Sequence, residues 1–259
     1  MTGRPFTALL FTAFLVSSTI TARAACDTGL AERMHGKLYP DRALDHERAV
    51  CEPWRGFLGR FIVVLPMAVP AAQSEPGLTE YDVEVLVVQQ ADNGNTDRAR
   101  IVARVAEPRA LSEDTTRIAS IRVDTARYTL APEAKAFGVR IVYRGAATER
   151  PYESERLSLY VPDGIELNKV LDELEMERQS GSWDTNCTGT FRTVHSTLTP
   201  ARATTNGYAD LTLRRTGSNS RSTSMGEECV TREKPANFKS TSLHFDGAKY
   251  RIPREPKTD

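Results

Sequence analysis

The chain has 259 residues with 34 basic and 34 acidic side chains, so its formal net charge at neutral pH is zero. A neutral chain lacks the excess of Lys and Arg that neutralises phosphates, which argues against a nucleic-acid partner. After the first 24 residues no segment stays apolar for the ~20 residues that a membrane-spanning helix needs, so the sequence predicts no membrane span. The length suits a single domain.

The first 24 residues are typical of a secretory signal peptide. A basic residue near the start precedes an apolar run over residues 6–20, and Ala22 and Ala24 are the small residues expected before a cleavage site. The sequence therefore predicts a soluble mature chain that works in the periplasm or outside the cell. Lipidation of Cys26 is the alternative, but a lipoprotein signal usually has an aliphatic residue where this chain has Arg23.

Four cysteines remain in the predicted mature chain: Cys26, Cys51, Cys187 and Cys229. An even number of cysteines in an exported chain predicts two disulfides. Three pairings are possible, and proximity in sequence favours Cys26 with Cys51 and Cys187 with Cys229. In the chain-entropy model each of these bonds contributes on the order of 3–4 kcal/mol.

The chain divides into four predicted parts. They are a signal peptide (residues 1–24), a short N-terminal segment closed by a disulfide (residues 25–60), a β-rich domain (residues 61–253) and a flexible tail (residues 254–259). In the N-terminal segment Leu30, Met34 and Leu38 recur at near-helical spacing, and Pro40 follows them. This pattern predicts one short helix that ends before the proline.

The β-rich domain alternates short runs of β-branched, leucine and tyrosine residues with turn signals. Among those signals, Asn-Gly at residues 206–207 and Asp-Gly at residues 246–247 are the strongest, because both central positions of a type I′ turn favour positive φ. The predicted strands are residues 61–65, 83–87, 101–105, 118–123, 139–143, 157–161, 209–213 and 242–250. Together they predict a mainly β fold, either a small β-propeller of four or five hairpin units or a β-sandwich, with a short N-terminal helix.

One segment of the β-rich domain has two interpretations. Leu167, Val170, Leu171 and Leu174 fall at helical spacing. The turn signal at residues 163–164 comes just before them and predicts instead the return strand of a hairpin. Both interpretations stay open, with a slight preference for the strand.

A loop rich in oxygen-bearing side chains is a candidate calcium site. Oxygen ligands at alternate positions about a glycine are typical of a calcium loop. A full loop also has a bidentate Glu downstream, which this sequence lacks, and a plain hairpin turn explains the same residue types. No other cofactor is predicted. The candidate ligands are Asp92, Asn93, Asn95 and Asp97.

Two further sets of residues are candidates for binding. Trp183 and Asp184 lie next to Cys187 and are candidates for a binding rim, since an exposed Trp anchors many interfaces. The alternative is that Trp183 packs in the core beside the disulfide, and the sequence favours this alternative. Arg127 and Tyr128 are candidates for recognising a carboxylate or a sugar through charge-assisted hydrogen bonds. For them a purely structural ion-pair network is the favoured alternative.

The sequence contains no motif of a common catalytic site. The four histidines are scattered without zinc-binding spacing, and neither a Gly-x-Ser-x-Gly motif nor a Gly-rich phosphate loop is present. Paired carboxylates of a glycosidase can be far apart in sequence, so their absence cannot be deduced here. The sequence therefore predicts no catalytic residue and favours a protein that is not an enzyme.

Four segments together resemble a family of exported proteobacterial proteins without an assigned activity: residues 81–87, 123–128, 136–140 and 181–187. The hairpin units and residues 245–250 are more weakly similar to periplasmic lysozyme inhibitors and propeller-shaped immunity proteins, although their Ser-Gly-x-Tyr string is missing here. The first resemblance implies export. The β-rich, disulfide-linked scaffold without a catalytic motif predicts a non-enzymatic protein that binds a partner, and we expect that partner to be a cell-envelope hydrolase which it restrains. A carbohydrate-active or other periplasmic hydrolase and a component of an envelope assembly are the alternative hypotheses.

Overall fold

The computed structural model describes residues 29–90 and 96–253, and within them the chain is almost entirely β-structure. The mainly β fold with a short N-terminal helix that the sequence predicts is confirmed. In this part of the chain, no helix has the length and apolar character needed to cross a membrane. The elements are α1 (Leu30–Leu38), β1 (Val50–Pro53), β2 (Arg60–Ala68), β3 (Thr79–Gln89), β4 (Arg100–Glu113), β5 (Thr116–Thr129), β6 (Lys135–Gly145), β7 (Tyr152–Asp163), β8 (Glu166–Trp183), β9 (Gly189–Thr205), β10 (Tyr208–Met225), β11 (Glu228–Glu233) and β12 (Asn237–Leu243), with 3-10 turns at Ala71–Gln73 and Thr96–Arg98.

The first eight strands form a nearly closed, barrel-like sheet in the spatial order β1-β2-β3-β4-β8-β7-β6-β5. Each half, β1 to β4 and β5 to β8, is an antiparallel meander. The halves meet where β4 and β8 run parallel, at the single pair Arg104 and Glu166, and β1 lies against β5 at the other join. This arrangement is consistent with the propeller-like or sandwich class predicted from the sequence.

The barrel interior is filled by aliphatic and aromatic side chains from β2 to β8. Val85 and Val87 point inward from alternate positions of β3, as the two-residue period of a strand requires. At the centre Phe137 is fully buried between the rings of Trp54 and Tyr160, with centroid distances of 5.3 and 5.7 Å. The barrel is therefore closed by packing rather than open along its axis.

Helix α1 covers the outer side of β2 and β3. Leu30 and Met34 of the helix pack with Val63 and Leu65 of β2 and with Leu86 of β3, and all five are fully buried. Because both faces of these two strands are covered, their sequences read as nearly continuous apolar runs.

The last four strands form a long extension, called the ribbon here (β9 to β12). Strand β9 pairs with the end of β8, β10 pairs with β9, and β11 and β12 follow one another along the far edge of β10. The base of the ribbon packs on the outside of the barrel, where Leu198, Leu211 and Leu213 contact the cluster of Leu159 and Leu174. Beyond this base most of the ribbon is exposed.

The segment with two interpretations belongs to strand β8. The register of β8 against β7 slips three times, and each slip adds one residue to β8. Val170, Leu171 and Leu174 consequently face the same apolar cluster, while Leu167 packs into the barrel interior. The bulges thus turn the two-residue period of a strand into the helix-like spacing seen in the sequence. Glu173, at the middle bulge, has a left-handed φ of 47°.

Candidate functional site

A groove of about 550 Å³ opens where the β6–β7 loop lies beside the paired ends of β8 and β9. The loop is held against β8 by two backbone hydrogen bonds, because the N–H groups of Gly181 and Trp183 donate to the carbonyls of Pro151 and Glu149 at 3.0 and 2.9 Å. We call this cavity the aromatic groove. Its aromatic and charged lining residues are Arg144, Tyr152, Glu153, Trp183, Phe191 and Arg192.

Two glycines make room for the two largest rings of the groove. In the β8–β9 ladder Gly181 is paired with Phe191, and Gly189 is paired with Trp183. A Cβ at Gly181 would lie 2.7 Å from Cδ1 of Phe191, and one at Gly189 would lie 3.1 Å from Cδ1 of Trp183. Both rings therefore pack against glycine backbone on one face of the sheet. They remain half-buried and form a flat, partly exposed platform.

The charged side chains of the groove leave one excess positive charge. Arg144 and Glu153 form an ion pair across β6 and β7, with Nη2 and Oε2 2.7 Å apart. Arg192 is exposed and has no ion-pair partner within residues 29–90 and 96–253. An unpaired guanidinium that lines the groove is suited to a carboxylate on an incoming molecule.

Asp184 holds the turn that follows Trp183. Its Oδ1 accepts hydrogen bonds from the backbone N–H groups of Asn186, Cys187 and Thr188, each at 2.9 Å. These donors, that of Asn186 above all, stabilise the carboxylate and lower the pKa of Asp184. Of the two candidate rim residues, Asp184 shapes the β8–β9 turn and Trp183 lines the groove.

One predicted disulfide is present between described residues. Cys187 in the β8–β9 turn is bonded to Cys229 in β11, with 5.6 Å between the Cα atoms. This bond ties the far end of the ribbon to the turn next to the aromatic groove. Cys51 is also disulfide-bonded and is buried in the cluster beneath α1; its predicted partner, Cys26, lies outside the described residues.

Tyr128 and Arg127 do not line the groove. Tyr128 is buried, and its hydroxyl donates to Asp124 at 2.9 Å; burial raises the pKa of Tyr128 to about 12. Arg140 donates from Nε to the same carboxylate at 2.7 Å and is also paired with Glu155. Arg127 is exposed and makes no ion pair within the described part of the chain. Tyr128 therefore takes part in a network with Asp124 and Arg140 outside the groove.

The predicted calcium loop falls mostly outside the described residues, which include neither Asp92, Asn93 nor Asn95. Asp97 is described and forms an ion pair with Arg33 of α1. Among the described residues no group of three or more His, Cys, Asp or Glu side chains could hold a metal ion.

The sequence identifies Trp183 as a candidate binding residue. It does not identify the groove residues Phe191 and Arg192, because strand β9 is not predicted. The buried positions of β9 do alternate, at Val194, Ser196 and Leu198. Only two of these three are apolar, so the period-two signal is weak.

Comparison with known proteins gives no assignment for the chain. A scan against protein-family models found no match. Searches of the curated proteins and of the solved structures found none either. The geometry of the aromatic groove is therefore the basis for inferring function.

Proposed function

We propose that this protein is an exported, non-enzymatic binding protein, that a protein partner docks in its aromatic groove, and that the partner is a cell-envelope hydrolase which it restrains. One observation carries the proposal: Trp183 and Phe191 are laid flat over glycine backbone and left half-exposed beside a cavity of about 550 Å³. Rings held on rigid strands lose little conformational freedom when a partner covers them.

The composition of the groove supports a protein partner. Trp, Tyr and Arg are the residue types that dominate the hot spots of protein interfaces, and the groove brings together Trp183, Tyr152 and two arginines. Its excess positive charge, carried by Arg192, favours a partner loop with an acidic side chain. The partner is therefore expected to cover the two rings and to carry an acidic side chain that can pair with Arg192.

The carboxylates of the groove support binding rather than hydrolysis. Glu153 is the one carboxylate among its described lining residues, and it is paired with Arg144. Hydrolysis of a glycosidic bond usually requires two carboxyl groups on opposite sides of the scissile bond. A ligand in this groove would meet a single, already paired acid.

A second candidate function is the binding of a glycan chain without cleavage. The flat platform of Trp183 and Phe191 favours it, because the C–H face of a sugar ring stacks on the face of an aromatic ring. Gln179 lies on the same face of β8 as Trp183 and lines the groove, so its amide is a hydrogen-bond donor for sugar hydroxyls.

The two candidates are separated by a binding experiment with matched variants. The mature chain is immobilised and exposed to an envelope extract, and each captured hydrolase is purified and assayed on peptidoglycan with and without the chain. We expect inhibition by the wild type and at least tenfold weaker inhibition by Trp183→Ala. Phe238→Ala is the control, because Phe238 is an exposed ring outside the groove, and it should inhibit as well as the wild type.

Capture without inhibition, or inhibition that Trp183→Ala leaves unchanged, would contradict the proposal of a protein partner in the groove. Binding to purified peptidoglycan in the absence of protein, lost in Trp183→Ala, would favour the glycan candidate instead. Circular dichroism and thermal unfolding of both variants establish that each is folded.

Export is tested separately by the mass of the protein recovered from its cell of origin. We expect a periplasmic or secreted chain that lacks residues 1–24. A full-length chain in the cytoplasm would contradict the signal peptide and with it the proposed compartment.

A further inference from the structure

A second cavity, of about 410 Å³, opens at one end of the barrel. We call it the barrel mouth. Three of its lining residues, Ala110, Arg156 and Glu173, also line a small void beneath it. The charged pair of Arg156 and Glu173 therefore lies between the mouth and the packed core. The polar residues of the mouth that matter here are Ser112, Asp114, Tyr143, Tyr152, Arg156 and Glu173.

Bulges in two neighbouring strands shape the mouth. Strands β4 and β8 run parallel from the pair Arg104 and Glu166, and beyond it each contains a non-glycine residue in the left-handed region: Arg109, with φ of 50°, and Glu173, with φ of 47°. Such backbone is rare outside glycine. Bulges re-aim side chains next to binding and active sites, and strained backbone concentrates there.

The bulge in β8 directs Glu173 to Arg156. The N–H of Glu173 donates to Oγ of Ser158 at 3.0 Å, which fixes the bulge. The carboxylate then pairs with Arg156, with 2.9 Å between Nη1 and Oε2. The side chains of Arg156 and Glu173 are 38% and 42% exposed, so a molecule in the mouth can reach both.

Two tyrosines complete the surroundings of Arg156. Its guanidinium lies over the ring of Tyr143, 5.1 Å from the centroid, and Tyr152 lines the mouth beside it. Burial raises the pKa of Tyr143 to about 12, so its hydroxyl stays protonated at physiological pH. The arginine is therefore held in one orientation while its outer edge remains accessible.

We propose that the barrel mouth binds a small zwitterion of the amino-acid class, with the carboxylate on Arg156 and the ammonium group on Glu173 and Asp114. The charged residues that line the mouth are Asp114, Arg156 and Glu173, one positive and two negative. A simple anion would face a net negative cavity, whereas a zwitterion offers each charge a partner of opposite sign. The volume lies in the ~300–1,000 Å³ range of small-molecule sites, and barrel mouths are one of their usual places.

The proposal is tested by calorimetric titration of the mature wild-type chain with alanine and glutamate in their L and D forms. N-acetylalanine, which lacks the ammonium group, and alaninamide, which lacks the carboxylate, are the matched ligands. We expect at least one amino acid to bind and both blocked analogues of alanine to bind at least tenfold more weakly than alanine itself. No binding of any amino acid, or equal binding of the blocked analogues, would overturn the proposal.

Variants of the lining residues test whether the ligand binds in the mouth. Arg156→Lys and Glu173→Gln should each weaken binding at least tenfold, and Asp114→Asn, a change at an exposed turn that leaves the barrel intact, should weaken it several-fold. Arg144→Lys is the control, because Arg144 forms a similar ion pair on the neighbouring strand but lines the aromatic groove. Equal weakening by Arg144→Lys, or unchanged affinity in Asp114→Asn, would overturn this placement.

Discussion

The barrel and the ribbon are two β-structures held together by different interactions. In the barrel, β2 and β3 are buried along nearly their whole length, between the apolar interior and helix α1. In the ribbon, β11 and most of β12 are exposed, and Ser and Thr occupy many positions of β10. The barrel is thus stabilised mainly by burial of apolar surface. Beyond its base, the ribbon depends on the backbone ladder and on the disulfide between Cys187 and Cys229.

The difference shows that a strand can form without an apolar face when its ladder is anchored at both ends. One anchor is the cluster around Leu211 and Leu213 at the base, and the other is the disulfide near the groove. Local stability should therefore be high throughout the barrel and lower in the middle of the ribbon.

The largest effect is expected from the centre of the barrel. Phe137→Ala removes a fully buried ring that packs between Trp54 and Tyr160, and it should lower the free energy of unfolding by about 3–5 kcal/mol. Urea unfolding followed by circular dichroism measures the change. A loss below about 1 kcal/mol would mean that burial is not what holds the barrel together.

Removing the anchor of the ribbon should have a smaller and more local effect. The double variant Cys187→Ser and Cys229→Ser opens a link across a sequence separation of 42 residues, and we expect it to cost about 2–4 kcal/mol, the typical range for one disulfide. Amide hydrogen exchange should rise in β11 and the end of β10 and stay unchanged in β2 and β3. Equal loss of protection in the barrel would show that the two regions unfold as one unit.

A smaller effect than either is expected on the outer face of the barrel, where Asp124 accepts hydrogen bonds from Tyr128 and Arg140. Burial opposes its charge, but the N–H of Ala126 and the guanidinium of Arg140 prevail and lower its pKa below the ordinary value of 3.8. Since the folded-state pKa is the lower one, the stabilisation is complete above about pH 4 and is lost as the pH falls through that lower value.

Asp124→Asn should therefore lower the free energy of unfolding by about 1–2 kcal/mol at pH 7, and by clearly less at pH 3. Urea unfolding at both pH values measures this difference. Asp97→Asn is the control, because Asp97 is largely exposed and its ion pair should contribute little. If Asp124→Asn lowered the free energy of unfolding by the same amount at pH 7 and pH 3, the charge of Asp124 would have no role in stability.

The sequence predicts the barrel better than the ribbon for the same physical reason. The predicted strands at residues 61–65, 83–87, 139–143 and 157–161 all lie within barrel strands, whose buried positions are mostly apolar. Strand β9 is not predicted, because a ladder made largely by polar residues leaves little hydrophobic pattern. The predicted strand over residues 242–250 is interrupted after Leu243, and an isolated bridge between Phe245 and Tyr250 follows.

The candidate site is predictable only in part, since it depends on register. Trp183 stands out in the sequence, but Gly189 and Phe191 become its neighbours through the pairing of β8 with β9. The barrel mouth is harder still to predict from the sequence, because Arg156 and Glu173 meet through a bulge that has no local sequence signature. Closure between β4 and β8 likewise joins strands that are distant in the chain.

The smallest effect is expected at the far edge of the ribbon, within a single strand. Phe238 and Leu243 both lie in β12, but Phe238 is 81% exposed whereas Leu243 is fully buried. Phe238→Ser should therefore change the free energy of unfolding by less than about 0.5 kcal/mol. Its matched partner Leu243→Ser should lower that free energy by about 2–5 kcal/mol, since it exchanges a buried apolar side chain for a hydroxyl.

Urea unfolding of the two β12 variants at two protein concentrations measures this contrast. A cost above about 1 kcal/mol for Phe238→Ser that grows with concentration would mean that a second copy of the chain covers the ring in solution. The far edge of the ribbon would then be stabilised by apolar burial after all, and the difference between ribbon and barrel would hold only for the isolated chain.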